Sequence, residues 1–348
     1  MGHISMPSIK QFRQIIKNIS CSSRYIGDDD NGDPIFDNNI KLPILKAKGT
    51  VKLHGTNASV AYNENKGMWV QSKKNVITPE RDNAGFAFFA RSNQEHIENI
   101  IFNIRDQFNI DTVKNTITVF GEWAGQGIQK NVAISNIPKS WFIFGVKISP
   151  INDEDSAYWI DGYSIPEHDR IFDISFFKTF EIEIDFENPL MSQNKMVDMV
   201  AEVEKECPVA ASFGHKGIGE GIVFVINDGK NKHLYKMKGE KHAGKSKVKK
   251  AKKVDDKKLQ LINDIVEKVT PEWRLDQMYT ETFDIINGGQ GDIKKMGDYI
   301  RSVINDITKE DSDIINDAGL IPKDINKRVS DVARRWMIAK LDEEAGIK

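Results

Sequence analysis

A lysine between apolar neighbours, closely followed by glycine, is an unusual occupant of a strand-like run. Residues 49–57, Gly49-Thr-Val-Lys52-Leu-His-Gly55-Thr-Asn57, contain one. An amine attacks only when neutral, whereas an exposed lysine has a pKa of about 10.4. Desolvation and nearby positive charge both favour the neutral form. Val51 and Leu53 supply apolar flanks, and Lys236 and Lys238 supply charge if the fold brings them close. Gly49 and Gly55 permit close approach of a ligand to the backbone. We read Lys52 as a covalent nucleophile, although alone it is also an ordinary residue for an edge strand.

Four further charges stand in suggestive settings. Glu122, in Val119-Phe-Gly-Glu-Trp-Ala-Gly125, ends an apolar strand, where a carboxylate holds a sugar hydroxyl or a metal, or simply faces water. Glu220 precedes the run Ile222-Val-Phe-Val-Ile226, as a hard-metal ligand or a plain strand end. Lys236 and Lys238, two apart in Leu234-Tyr-Lys-Met-Lys-Gly239, point to one face of a strand. Ammoniums so placed repel unless an anion lies between them, so polyphosphate is the natural guest. Other chemistries lack their patterns. The glycine-rich phosphate loop is missing, and Gly217-Ile-Gly219-Glu-Gly221 is too short for a dinucleotide fingerprint. The seven histidines form no HxxxH pair, and no GxSxG elbow occurs. The aspartates of Gly27–Asn39 lack the calcium-loop spacing, which predicts a solvated loop.

The elements that must position these residues follow from periodicity. Ser8–Ser20 carries Ile9, Phe12, Ile15, Ile16 and Ile19 at helical spacing. Short strands are expected at 46–54, 57–63, 68–74, 116–123, 141–148, 157–160, 221–226 and 232–238. One helix is expected over Ala84–Phe108 and another near Lys195–Glu206. Strands that arrive in clusters predict an α+β fold, mainly antiparallel. After Asp255 the pattern is helical only, with Ile262, Ile265, Val266 and Val269 on one face. Met296–Ile307 and Val329–Leu341 repeat that pattern. Two domains are therefore expected, 1–250 and an all-helical 255–348. Between them, Lys236–Lys258 holds eleven lysines against three acids, read equally as a solvated linker and as a nucleic-acid contact.

Composition sets the outer bounds. A net charge of −2 limits any nucleic-acid binding to a local basic surface. Two distant cysteines, Cys21 and Cys207, give neither a disulfide framework nor a zinc site, and the cytoplasm is the expected compartment. The apolar runs are too short to cross a bilayer, and no basic-then-apolar leader opens the chain.

Taken in order, a lysine followed two residues later by His54 and then Gly55, the Gly-Glu pair at 121–122, the Glu-Gly pair before an apolar run, and KxK resemble the covalent nucleotidyltransferases. That superfamily holds RNA and DNA ligases and capping guanylyltransferases. Lys52-Leu-His-Gly-Thr-Asn57 and Phe120-Gly-Glu-Trp-Ala-Gly-Gln-Gly-Ile-Gln-Lys-Asn-Val132 are similar to the RNA ligase 2 family, the phage T4 type. The resemblance spans roughly residues 45–245. It implies a nucleotidyltransferase domain, ATP-grasp-like in kind, and an ATP-dependent RNA ligase using Mg²⁺ or Mn²⁺. Lys52 would hold AMP as a phosphoramidate, with Val51 and Leu53 beside the nucleotide. Phe144 would stack on adenine, Glu122 would contact ribose or metal, and Glu220 would bind metal. Lys236 and Lys238 would hold the phosphates, and His54 and Asn57 would assist AMP transfer to a 5′-phosphate. Where the family has a ribose-contacting arginine, this sequence offers Lys73 or Lys74, a point charge in place of a planar fork. Nicked duplex RNA is the expected partner and a monomer the expected state. The rivals are a GTP-dependent guanylyltransferase, a DNA ligase, and a non-catalytic nucleotide- or RNA-binding module. The helical C-terminal region argues against the first two.

Overall fold

Runs of β-branched and aromatic residues broken by glycine and asparagine turns fold as strands along the first two-thirds of the chain. The computed structural model describes residues 2–7, 9–29, 32–82, 84–153, 156–229, 231–242 and 255–345. Residues 243–254 of the lysine-rich run at 236–258 lie outside these residues. The order begins α1 (Phe12–Arg24), β1 (Tyr25–Asp28), β2 (Pro34–Phe36), β3 (Ile44–Lys52), β4 (Thr56–Asn63), β5 (Gly67–Ser72) and β6 (Val76–Ile77). Next come α2 (Phe86–Ser92), α3 (Gln94–Gln107), β7 (Asn115–Ala124), β8 (Ser140–Pro150), β9 (Tyr158–Ile160), β10 (Ile171–Asp173) and β11 (Thr179–Asp185). Helices α4 (Pro189–Lys205) and α5 (Pro208–Ser212) lead to β12 (Gly221–Asn227) and β13 (Lys232–Lys238). From Asp256 the elements are helical: α6 (Asp256–Val269), α7 (Glu272–Phe283), α8 (Met296–Glu310), α9 (Ser312–Asp317) and α10 (Pro322–Glu344).

Two compact units organise these elements. The first comprises Met1–Ile15, Leu45–Ile184 and Lys195–Ala251; the second comprises Ile16–Ile44, Asp185–Asn194 and Lys252–Lys348. The second unit thus adds two earlier segments to the helical stretch expected from residue 255.

In the first unit the larger sheet runs β10-β8-β7-β4-β5-β6, with β9 also on β8, and the smaller runs β11-β3-β12-β13. β10 pairs with β8 in parallel, while β4, β5, β7 and β8 form an antiparallel ladder. Val60, Val119 and Ile143 on one face of the larger sheet pack with Ile97, Ile100, Ile101 and Ile104 of α3. The expected apolar stripe of that helix is therefore its buried face. The single helix expected over 84–108 is two helices meeting at Asn93, whose side-chain amide donates to Phe89 O. An asparagine that bonds back to the preceding turn competes with helix continuation. The expected loop at 27–39 contains the short β1–β2 hairpin.

The second unit has its own core. Val266, Leu275, Met278, Tyr299, Val303, Val329 and Met337 form one buried cluster from α6, α7, α8 and α10. Arg274 is threaded through its edge, donating to Val269 O at 2.6 Å and pairing with Asp306 at 2.9 Å and with Asp311. Among the described residues, no helix is long and apolar enough to cross a membrane.

Candidate active site

β3 ends at Lys52 and β4 begins at Thr56, so Leu53, His54 and Gly55 carry the chain from the smaller sheet to the larger. Gly55 fits tightly against β7. A Cβ there would lie 2.4 Å from the Trp123 carbonyl oxygen, and its own N–H donates to Glu122 Oε1 at 3.0 Å. Asn57 stands opposite Glu122 in the β4–β7 register. Lys52, His54, Asn57 and Glu122 therefore gather at one crossing between sheets.

The register of the smaller sheet brings in the rest. Gly221 pairs with Lys52 on one side and with Lys238 on the other. Its φ is +152°, and a Cβ would sit 2.1 Å from Met237 O, so only glycine fits. Glu220, immediately before it, is 2% exposed. Lys52 Nζ donates to Glu220 Oε2 at 2.6 Å and Lys238 Nζ lies 2.6 Å from Oε1. His54 Nδ1 is 3.5 Å from the same Oε2. Val51 and Leu53 are buried, so their side chains pack in the core, while Leu53 O accepts from Lys52 Nζ at 3.5 Å.

The charges are coupled. Burial alone would raise the Glu220 carboxyl, but the Lys52 and Lys238 ammoniums outweigh it and hold it below the usual range. Burial raises Glu122 to about 7, against the opposing pull of Lys52, the Gly55 N–H and Lys73. Burial lowers the Lys236 ammonium, and the positive charges of Lys238, Lys52 and Lys73 lower it further. His54 is lowered chiefly by burial. Both candidate lysines are exposed, and of the two the charge of Lys73 is the one that acts on Glu122 and Lys236.

Phe144 owes its place to a β-bulge. Phe120 pairs with Gly145 and Gly121 with Ile143, leaving Phe144 as the extra residue of β8. The extra residue shifts the alternation, so Phe144 escapes the helix-packed cluster that takes Ile143 and Val146, and it stays half-buried. One residue near the site was not singled out from sequence. His242 lies with its ring centroid 5.8 Å from that of His54. Its signal was only its position four residues beyond Lys238.

Lys52, Lys73, Lys236 and Lys238 outnumber Glu122 and Glu220, so the cluster suits a polyanion. A divalent cation also fits the donor chemistry. Such ions are held by one or two carboxylates together with substrate phosphates, and two carboxylates are what the cluster offers. Among the described residues no group of three or more His, Cys, Asp or Glu could hold a metal by itself.

A model of the family described as RNA ligase matches residues 48–238. No curated protein matches. Among solved structures, the Naegleria gruberi RNA ligase with PPi matches at 16% identity and a TM-score of 0.39, covering 67% of this chain and 56% of that one. A mutant of that ligase with AMP and Mn matches at 16% identity and a TM-score of 0.40, with the same coverage. Another mutant, with ATP and Mn, gives 17% and 0.38, again covering 67% and 56%. The chain thus spans little more than half the length of these structures.

Proposed function

Because the chain belongs to the RNA ligase family, we propose that it joins RNA 3′-hydroxyl and 5′-phosphate ends at the expense of ATP, with Lys52 carrying AMP between the two half-reactions. The observation that supports this most is the single register row in which Lys52 and Lys238 flank Gly221, with Glu220 bridging both ammoniums. In the first step the Lys52 nitrogen attacks the α-phosphorus. A P–N bond forms, the P–O bond to pyrophosphate breaks, and the proton lost by the amine passes to solvent, to which the Lys52 side chain remains 19% exposed. Lys236 and Lys238 neutralise the α-phosphate and the departing pyrophosphate. Such transfers leave the protein a positioning and charge-neutralising role.

In the second step a 5′-phosphate oxygen takes AMP from Lys52, aided by His54 and Asn57. A 3′-hydroxyl then displaces AMP and closes the strand. Going through lysyl-AMP splits one difficult joining into easier steps. Glu220 and Glu122 would hold a divalent metal, which supplies charge neutralisation at the phosphates. Phe144 would stack on the adenine, and Lys73 would meet the ribose side of the nucleotide. The helical region from residue 255 would contact the nucleic acid, with a nick in duplex RNA as substrate.

Sealing of nicked duplexes with RNA or DNA on each side of the break tests the reading. Wild-type protein with ATP and Mg²⁺ should close nicks flanked by RNA, and Lys52→Ala should close none. A wild-type protein that closes no nick of any composition would overturn the proposal.

A further inference from the structure

The second unit, by itself, carries an open cleft of about 770 Å³, a volume typical of ligand sites. The β1–β2 hairpin with the residues just after it, the start of α7 and the end of α10 form its walls. Phe36, Trp273 and Trp336 give it aromatic surface. Five carboxylates, those of Asp37, Glu272, Asp276, Asp342 and Glu343, line it against one ammonium, Lys340. Lys340 displays the recognition chemistry within the chain. Its Nζ lies 5.9 Å from the Trp336 ring centroid and 3.2 Å from Asp276 Oδ1, a cation held by an indole and a carboxylate. Trp336 is itself fixed by stacking on Tyr299 at 6.1 Å.

Among the described residues, no ammonium or guanidinium pairs with Glu272, Asp342 or Glu343. Burial, and then the negative charge of Asp37, raise the Asp342 carboxyl above its ordinary value, so like charges crowd one wall. Its exposed apolar residues are Trp273, 63% exposed, and Ile26, 49% exposed. A small cation in the cleft would leave them in water, whereas a peptide would cover them. Phosphate-bearing strands would meet the carboxylates with like charge.

We propose that this cleft docks a basic segment of a partner protein, in which lysine or arginine alternates with apolar residues. The cationic heads enter among the carboxylates and the apolar side chains lie on Trp273 and Ile26. This surface is separate from the ligase reading and does not depend on it.

The test uses the full chain and a fluorescent dodecapeptide alternating lysine or arginine with leucine, an acidic counterpart with glutamate, and spermidine as a small-cation probe. The basic peptide should bind at 150 mM salt, the acidic one should not, and Glu272→Lys/Asp342→Lys should weaken binding at least tenfold. Trp273→Ala should weaken the peptide several-fold. A circular-dichroism melt of each variant, matching wild type, establishes that the chain is folded. Unchanged peptide binding in these variants would overturn the proposal. So would no binding by wild type, spermidine binding alone, or photocrosslinking of single-stranded RNA to Trp273.

Discussion

Glu220 has both carboxylate oxygens engaged at 2.6 Å, by Lys52 and by Lys238, so it holds the proposed nucleophile and a lysine proposed to bind phosphate in one place. Breaking a fully buried pair costs about 3–5 kcal/mol. Here the ammoniums remain 19% and 33% exposed, so Glu220→Gln should lower stability by less than that. Labelling of the chain by ATP should fall roughly a hundredfold, on the scale of removing one preorganised electrostatic contact. Chemical denaturation and a labelling time course would separate the two effects, and unaltered labelling would remove Glu220 from the reaction. Glu122 carries a pH dependence of its own. Its folded value of about 7 lies above the ordinary 4.5, so the native state retains a proton that the unfolded chain gives up. That contribution is fully present below 4.5 and is lost as pH rises through 7, a change of about 3 kcal/mol at 1.36 kcal/mol per unit. Glu122→Gln should therefore gain stability relative to wild type between pH 5 and pH 8 in urea titrations. Parallel profiles would mean that burial does not set this carboxyl. Residue types marked Lys52, Glu122, Glu220, Lys236 and Lys238 in the sequence because charges set in or beside apolar strands are chemically conspicuous. Nothing in residue type marks Lys73 over Lys74 or points to His242, because the charges that Lys73 meets and the ring that His242 meets come from distant segments of the chain.

At the scale of elements, the smaller sheet is legible where alternation is flanked by turns. The Gly221–Asn227 and Lys232–Lys238 strands lie within a residue of their expected limits. Thr179–Asp185 was missed although its burial alternates strictly with its apolar residues, a period-two signal present in the sequence. The three-residue β2 and β10 carry too few residues for any period to register, and they exist because neighbouring strands offer edges. The bulge at Phe144 is a pairing property, invisible in one strand alone. Gly221 joins β3, β12 and β13 at the register row that holds Lys52 and Lys238. Gly221→Ala must push Met237 O away from a 2.1 Å approach. It should cost at least about 2 kcal/mol and should abolish labelling even below its new melting temperature. Normal labelling at 10 °C would show that the row tolerates displacement. Phe144→Ala, by contrast, removes a half-buried ring outside the helix-packed cluster and should leave the melting temperature nearly unchanged. Loss of one base stack is worth about 1–3 kcal/mol, so the ATP concentration for half-maximal labelling should rise roughly tenfold or more. An unchanged value would place the adenine elsewhere.

For the whole molecule, the helical stretch from residue 256 was legible by its 3.6-residue period, because each stripe of apolar residues becomes core. The assignment of residues 16–44 and 185–194 to the same compact unit was not legible, since chain order says nothing of which distant segments pack together. Val303 is fully buried in the helical core, so Val303→Ala should destabilise that unit by about 1–3 kcal/mol. If the helical unit serves nucleic acid and the sheet unit serves the nucleotide, warming this variant should lose nick sealing before it loses labelling. Simultaneous loss would merge the two roles.

The most direct measurement is the site and chemistry of that label. Wild-type chain incubated with α-labelled ATP and Mg²⁺, digested and sequenced by mass spectrometry, should carry one AMP on the Lys52 amine. The bond should be acid-labile and the label released by pyrophosphate. AMP on another residue, or a wild-type chain with none, would contradict the assignment of Lys52 as the nucleophile.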